Sequence, residues 1–593
     1  MRSLYTFILL CALVLFNACR KDDVDKEIVD PDPVTPDLEV KVASTITGFV
    51  VDETNSPVGW ATVNVGDKYI RTDEYGYFKV ADVSVAKIAG LVKVTKSGYI
   101  DGYKTVIPSA GKESFVRIKL VPKKEIGTVA ATSGGTITTT DGSKITLPEN
   151  GVVNAVSGAT YSGNVHVTAS WLNPASTEDL QMNIPGDARG TDSSGHLKAL
   201  KAYSTIAVEL TADNGQLLQI AEGKSATISL PIPSALSAEA PATIDLWRFD
   251  TTTGLWKKEG SATKTGDAYV GNVSHFSFWE AAEGGSFVNL AVRVVDASSQ
   301  PLANVPVSIN IAGLPKNAGY GRFGFTDANG YISGAVFANK DLVLDILTPC
   351  AISAYSHDFS TTSVDLDLGT LTGNLGQSQV TITGTVSNCE NQPVASGHVQ
   401  TYDGGFYNRI AISNGNFSYT GLACTNTDVN VIVVDNANYQ QNAPKTVTLH
   451  SGVNNLGALT ACGTSTLGVI TYTYDGVTTT IEEPTDTLGA YLATPQNIWT
   501  QIVTLSDGAN NSQKMSFQFD GGMALNSQHA INDVFCNAFP SGRGYWATPI
   551  QVTITEYGKV GGFISGNFSS QMLDFGDNSL HTLSCTFRVR RNN

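Results

Sequence analysis

Almost nowhere in this 593-residue chain do apolar residues recur at helical spacing. Thr, Val, Ser, Gly and Asn dominate, and long stretches alternate apolar with polar residues, which predicts all-β domains and excludes a helical bundle. Only "SALSAEAPATI" and "NSQHAINDVFCNAF" offer material for short helices. Beyond residue 19 no apolar run is long enough to span a bilayer, so several globular domains are expected. Positive charge is scarce: 38 Lys and Arg face 54 Asp and Glu, a net charge of −16. The short basic runs "VPKKE" and "RVRRNN" cannot supply the patch that nucleic acid requires, so that partner is excluded. None of the eight histidines has glutamate three residues later, which removes the histidine–glutamate pair of a zinc hydrolase. No G-x-S-x-G, P-loop or dinucleotide fingerprint falls where a strand would lead into a helix. No cofactor is expected.

What is present begins with "MRSLYTFILLCALVLFNAC", an arginine, an apolar run and a small residue, Ala18, before Cys19. This is the grammar of a secretion signal over residues 1–18. "LFNAC" resembles a bacterial lipobox, which makes Cys19 the lipidated first residue and the membrane a partner through that lipid. Residues 19–43, rich in Asp, Glu and Pro, read as a disordered acidic tether. At about 5–6 Å × √n such a tether holds the first folded domain roughly 25–30 Å from the lipid. The acidic "KDD" after the cysteine resembles the export signal of Bacteroidota surface lipoproteins, implying an outer-membrane protein facing the cell exterior.

Three segments then share one pattern. "ITGFVVDETNSPVGWATVNV", "VRVVDASSQPLANVPVSINIAG" and "ITGTVSNCENQPVASGHVQTYDGG" each carry an alternating strand, a polar turn ending in Pro57, Pro301 or Pro393, and a second strand. Each continues to a turn centred on Gly76, Gly330 or Gly415. Proline sets φ where the chain leaves a turn, glycine supplies the positive φ of a tight hairpin, and alternating Val and Ile mark the buried face. A unit of this kind builds a seven-stranded sandwich of roughly 80–100 residues.

The first segment, with "TDEYGYF", resembles the carboxypeptidase regulatory-like domain, a transthyretin-like sandwich used as an accessory module. The likeness covers residues 44–122 well, and 286–370 and 378–462 more loosely; where the first and third copies have Gly48 and Gly384, the second has Val292. No peptidase activity is implied, because the zinc-binding histidine–glutamate pair is missing. Residues 125–284, with "GNVHVTASWLNP" and the hairpin "LWRFDTTTGLWKKEG", resemble the β-sandwich of the cartilage intermediate layer protein family and ZU5-type domains. Residues 463–593, with "ISGNFSSQMLD", resemble the C-terminal sandwich of many Bacteroidota lipoproteins. The expected fold is therefore a row of tandem β-sandwiches, transthyretin-like or Ig-like.

Three places are candidates for chemistry or binding. "NVSHFSFWE" contains His275, Phe276 and Ser277, and the resemblance to autoproteolytic ZU5-related domains implies a reaction there. The Ser277 hydroxyl would attack the Phe276 carbonyl with His275 as base. The residues themselves read as a core strand, with Val273, His275, Ser277 and Trp279 on one face and Ser274, Phe276 and Phe278 on the other. Tyr545 and Trp546 in "SGRGYWATP" are candidates for stacking on sugar rings of a glycan. "TDANGYISG" and "TDEYGYF" resemble calcium loops in their Asp and Gly spacing, but a hairpin turn accounts for them equally.

Six further cysteines, an even count in an exported chain, predict three disulfides. Cys536 and Cys585 stand alone in the last domain and are expected to pair; Cys350, Cys389, Cys424 and Cys462 allow three connectivities. The whole reads as a non-catalytic outer-membrane lipoprotein with an adhesive, scaffolding or ligand-binding role toward an extracellular protein or glycan. Its rivals are a self-cleaving surface protein and a polysaccharide-binding accessory lipoprotein. External protease added to intact cells is expected to digest the chain, whose mature N-terminus carries lipid; protection from protease would place it on the periplasmic side.

Overall fold

A computed structural model describes residues 29–591 apart from 74, 109, 304, 317, 348–352, 373–378, 404–405, 484–486, 494–498, 506–514, 521–527, 547–549 and 559–561. The architecture is all-β, in five successive units. Residues 41–122 form a three-stranded sheet packed on a four-stranded one, with Ile46, Val63, Phe78 and Val92 between them. Residues 125–285 form a 13-stranded sheet system around the fifteen-residue strand Leu197–Thr211. Residues 287–372 repeat the three-plus-four arrangement, residues 379–465 pair three strands with six, and residues 469–591 make one ten-stranded sheet.

The three repeated segments fold alike for a visible reason. In each, the first strand lies between an antiparallel neighbour and a parallel one: Lys41–Val51, Phe287–Val295 and Gln379–Asn388 pair in parallel with Glu113–Lys119, Leu366–Thr372 and Gly452–Ala461. The following turn is closed by a side-chain oxygen. Asp52, Asp296 and Asn388 each accept two backbone N–H bonds within the next four residues. This is the local capture at which Asp and Asn excel. Gly76, Gly330 and Gly415 have φ of 72°, 78° and 72°, and their carbonyls accept from Val50, Val294 and Val386 of the first strands. A Cβ on Gly76 or Gly330 would stand 2.3 Å from the neighbouring strand's carbonyl oxygen, so conformation and space both demand glycine.

Val292 in the second copy has a physical partner. Gly48 and Gly384 lie opposite Phe78 and Phe417, whose rings, together with the carbonyls of Val116 and Gly457, occupy the space a Cβ would need; Val292 lies opposite the smaller Ile332.

Several expectations are corrected. Residues 29–40 are laid against the folded body: Leu197 N–H donates to the Val34 carbonyl at 2.7 Å, and Leu38 packs on Ala89, Leu197 and Leu255. This part of the expected tether has apolar and backbone partners, and only residues 19–28 of it lie outside the described residues. "SALSAEAPATI" supplies just a single 3-10 turn, Ser234–Leu236, and within "NSQHAINDVFCNAF" Gln528–Cys536 is a strand, because its pairing with Met515–Asp520 satisfies the backbone better than an isolated short helix. The units are not a simple row either. The first touches the second through Lys119 and Glu178 and the third through the Phe115 and Phe325 rings, 4.8 Å apart. It also reaches the fourth through Asp73 and Arg409 and the fifth through Arg590 over Trp60.

Among the cysteines, Cys389 pairs with Cys462, with Cα atoms 5.0 Å apart, joining the ends of the parallel pair in the fourth unit. Cys424 is also disulfide-bonded, and Cys350 lies outside the described residues. Cys536 and Cys585 are two separate buried thiols, not a disulfide. Each is set in the apolar core of the fifth unit beside Ile470 and Phe568, where a thiol packs as a small hydrophobe; burial pushes both thiols up. Replacing Cys389 with serine opens a loop of 73 residues and is expected to cost the fourth unit about 4 kcal/mol, read as a lowered urea midpoint without reductant.

Candidate functional site

Where the first three units meet, all three line an open cavity of about 380 Å³, within the usual range for small-molecule sites. Its walls include Phe115 from the first unit, Asp187 and Glu280 from the second, and Val292, Ile309 and Arg322 from the third. Two features hold the junction. Ile100 and Tyr103 of the first unit enter an apolar cluster with Trp247, Phe249, Trp256 and Phe278 of the second. Burying each such side chain contributes roughly 1.5–3 kcal/mol. From the third unit, Ala318 and Leu314 pack into the core of the second, and Gly319 passes so close to the Ala202 carbonyl that any Cβ would overlap it.

The polar groups of the wall are incompletely paired. Glu280 is 1 % exposed; its Oε2 accepts from Thr205 Oγ1 at 3.0 Å, while Oε1 has no partner among the described residues. Burial pushes this carboxyl up to about 7, with the Thr205 hydrogen bond and the charge of Arg322 opposing the shift. Arg322 donates from Nη1 to the Asp187 carbonyl and lies against Tyr320, 5.3 Å from its ring centroid and close enough for the guanidinium to oppose the upward shift of the Tyr320 hydroxyl; its Nε and Nη2 are shielded, with no hydrogen-bond partner of normal geometry among the described residues. Asp187 holds Arg189 through Oδ2 and leaves Oδ1 unpaired. Lys104 donates to the Ile184 carbonyl at 2.7 Å, and burial lowers its ammonium to about 7. Unpaired buried polar atoms cost about 1–3 kcal/mol each, so their concentration on one cavity marks a place built for something other than stability.

The His-Phe-Ser triplet is arranged differently from the strand expected of it. Residues 274–277 form a bend between strands Ala268–Val273 and Phe278–Gly285. Alternation breaks there: Phe276 joins Val273 and Trp279 in the core of the second unit, whereas Phe278 enters the cluster shared with the first. The Gln219 amide brackets Phe276, accepting from its N–H and donating to its carbonyl, both at 2.7 Å. His275 Nε2 lies 3.1 Å from Glu259, its ring packs on Trp279, and burial lowers its pKa. The Ser277 hydroxyl donates to the Phe278 carbonyl at 3.4 Å. Base and nucleophile therefore have separate partners, and no residue of the triplet has the left-handed backbone that would store strain. The chemically unusual letter of "NVSHFSFWE" is its last, Glu280, a charge inside the apolar run "FWEAA".

Tyr545 and Trp546 lie on strand Arg543–Trp546, paired with Leu573 and Met572, and their side chains are outside the described residues, as is Cys19. In the two Asp-Gly turns, Asp73 and Asp327 each accept two backbone N–H bonds and have Arg409 or Lys112 beside the other oxygen. In the fifth unit, His581 stands between Asp475 and Ser579, both at 2.6 Å, in an order like that of a nucleophile relay. Asp577 competes for the same serine proton at 2.6 Å, so the hydroxyl is not presented as a nucleophile.

A family model described as FAM171A1/A2/B, N-terminal, matches residues 154–282, inside the second unit. No curated protein matches. Among solved structures, the shaft pilin spaA of Lactobacillus rhamnosus GG is 9 % identical, with 30 % of this chain and 100 % of that one covered at a TM-score of 0.17. The major pilin subunit BcpA of Bacillus cereus is 10 % identical, with 57 % and 100 % covered at 0.12. A DUF3823 family protein from Bacteroides ovatus is 10 % identical, with 36 % and 98 % covered at 0.12. At such scores no property of these proteins passes to this chain.

The raised Glu280 carboxyl has a measurable consequence. Between about pH 4.5 and 7 the folded protein keeps a proton that the unfolded chain releases, so this group's contribution to stability falls as pH rises through that window. Glu280→Gln removes the dependence and is expected to stabilise the protein at pH 8 by on the order of 2 kcal/mol, with little effect at pH 4.5. Thermal melts at the two pH values check it.

Proposed function

We propose that this chain is a non-catalytic surface lipoprotein whose β-sandwiches present a small-molecule site at the junction of the first three units. The observation that carries the reading is the cavity itself, lined by the first three units together and by charged groups that keep unpaired atoms among the described residues. An adhesive or scaffolding surface needs no such interior, so ligand binding is the favoured form of the role. Anchoring through Cys19 and an exterior outer-membrane position rest on the signal-like N-terminus and its resemblance to surface lipoproteins. The docking of residues 29–40 leaves only a short acidic link between that lipid and the body.

The self-cleaving alternative is disfavoured by the partners of His275 and Ser277, and by Gln219 gripping Phe276 on both sides. A glycan platform at Tyr545 and Trp546 is the remaining alternative, and glycan-array binding lost on changing both residues would support it. The intact mass of the denatured soluble form is expected to show one full-length species, identical but for the substitution in Ser277→Ala. A wild-type split between Phe276 and Ser277 that disappears in the variant would sink the non-catalytic reading.

A further inference from the structure

We infer that the junction cavity takes a small organic acid with a hydrocarbon body, its carboxylate held by the Nε and Nη2 edge of Arg322. This deepens the ligand-binding reading above and rests on it.

The wall of the cavity provides the chemistry. A guanidinium recognises a carboxylate best through the parallel N–H bonds of Nε and Nη2. In Arg322 that edge is the unpartnered one, because Nη1 alone is committed to the Asp187 carbonyl. Both atoms are shielded in the unliganded protein, so binding requires the guanidinium to turn toward the void. Donors shielded without partners are costly, and a bidentate anion offsets that cost more completely than water does.

The surroundings narrow the ligand further. Glu280 lies close enough to Arg322 for that charge to oppose the upward shift of its carboxyl, yet no ion pair joins them among the described residues. With its carboxyl raised to about 7, Glu280 is largely protonated in mildly acidic medium and there offers an O–H donor at Oε1 instead of a repelling charge. Val292, Ile309 and the Phe115–Phe325 pair provide apolar wall. A phosphate or sulfate would leave that wall unused, and an uncharged hydrocarbon would leave the fork unpaired. A monocarboxylate with an aliphatic or aryl body satisfies both.

The test uses the full mature chain and four probes at pH 6: hexanoate, phenylacetate, and the matched alcohols 1-hexanol and 2-phenylethanol. Calorimetric titration is expected to show both acids binding at least about tenfold more tightly than their alcohols, a comparison that needs no variant. Arg322→Gln is expected to bring the acids down to the level of the alcohols, and Arg322→Lys, which keeps the charge but loses the fork, to fall between. Alcohols binding as well as acids, acids indifferent to Arg322→Gln, or no binding by any probe would each overturn the assignment. Digestion of the chain on whole cells reads the surface role independently, so a silent cavity and a mislocated protein are distinguishable failures.

Discussion

Tyr103 packed against Phe249 and Phe278, with ring centroids 5.4 and 6.2 Å away, is the contact on which the junction depends. Two β-sandwiches joined end to end ordinarily meet through small polar contacts and move relative to one another. Here an apolar cluster with four large aromatic side chains from the second unit and Tyr103 from the first crosses the boundary, so the two share a core. The same contact explains the bend at residues 274–277. Phe276 belongs to the core of its own unit and Phe278 to the shared one, and a regular strand cannot send residues two apart to opposite sides.

With the first two units welded, the third completes the enclosure. Its loop with Ala318 enters the second unit's core, and Phe325 meets Phe115 and Arg117 of the first. Glu280 is consequently withdrawn from water by packing that serves other residues, and single atoms of the half-buried Asp187 and Arg322 are shielded with it. Their unpaired atoms are a cost imposed by tertiary structure, and a cost of that kind persists at functional sites more readily than elsewhere. Lys104, by contrast, meets the Ile184 carbonyl and is accommodated by lowering its charge.

Local rules were legible in the letters. The Pro and Gly turns of the three repeats, the alternating strands and the all-β class follow from backbone preferences that act within a few residues. Position 292 shows the limit: the valine looks like a departure until Ile332 is seen opposite it, a pairing between strands some forty residues apart. The expected Cys536–Cys585 bridge fails for a related reason. Counting cysteines assigns partners by exclusion, while a bridge requires two sulfurs to meet in the right orientation; in the fifth unit both are packed as free thiols.

The amino-acid sequence by itself determined the element type, the repeated hairpin pattern, the export-like N-terminus and the absence of familiar catalytic motifs, since each depends on neighbours in the chain. Tertiary structure alone decided the rest. It laid residues 29–40 along the body, chose Cys462 for Cys389, turned His275 toward Glu259 and left Ser277 without a base. It also brought Glu280 and Arg322, 42 positions apart, to one cavity wall. Burial and unmet hydrogen bonds belong to the three-dimensional surroundings of a side chain, and no periodicity or spacing in one dimension encodes them.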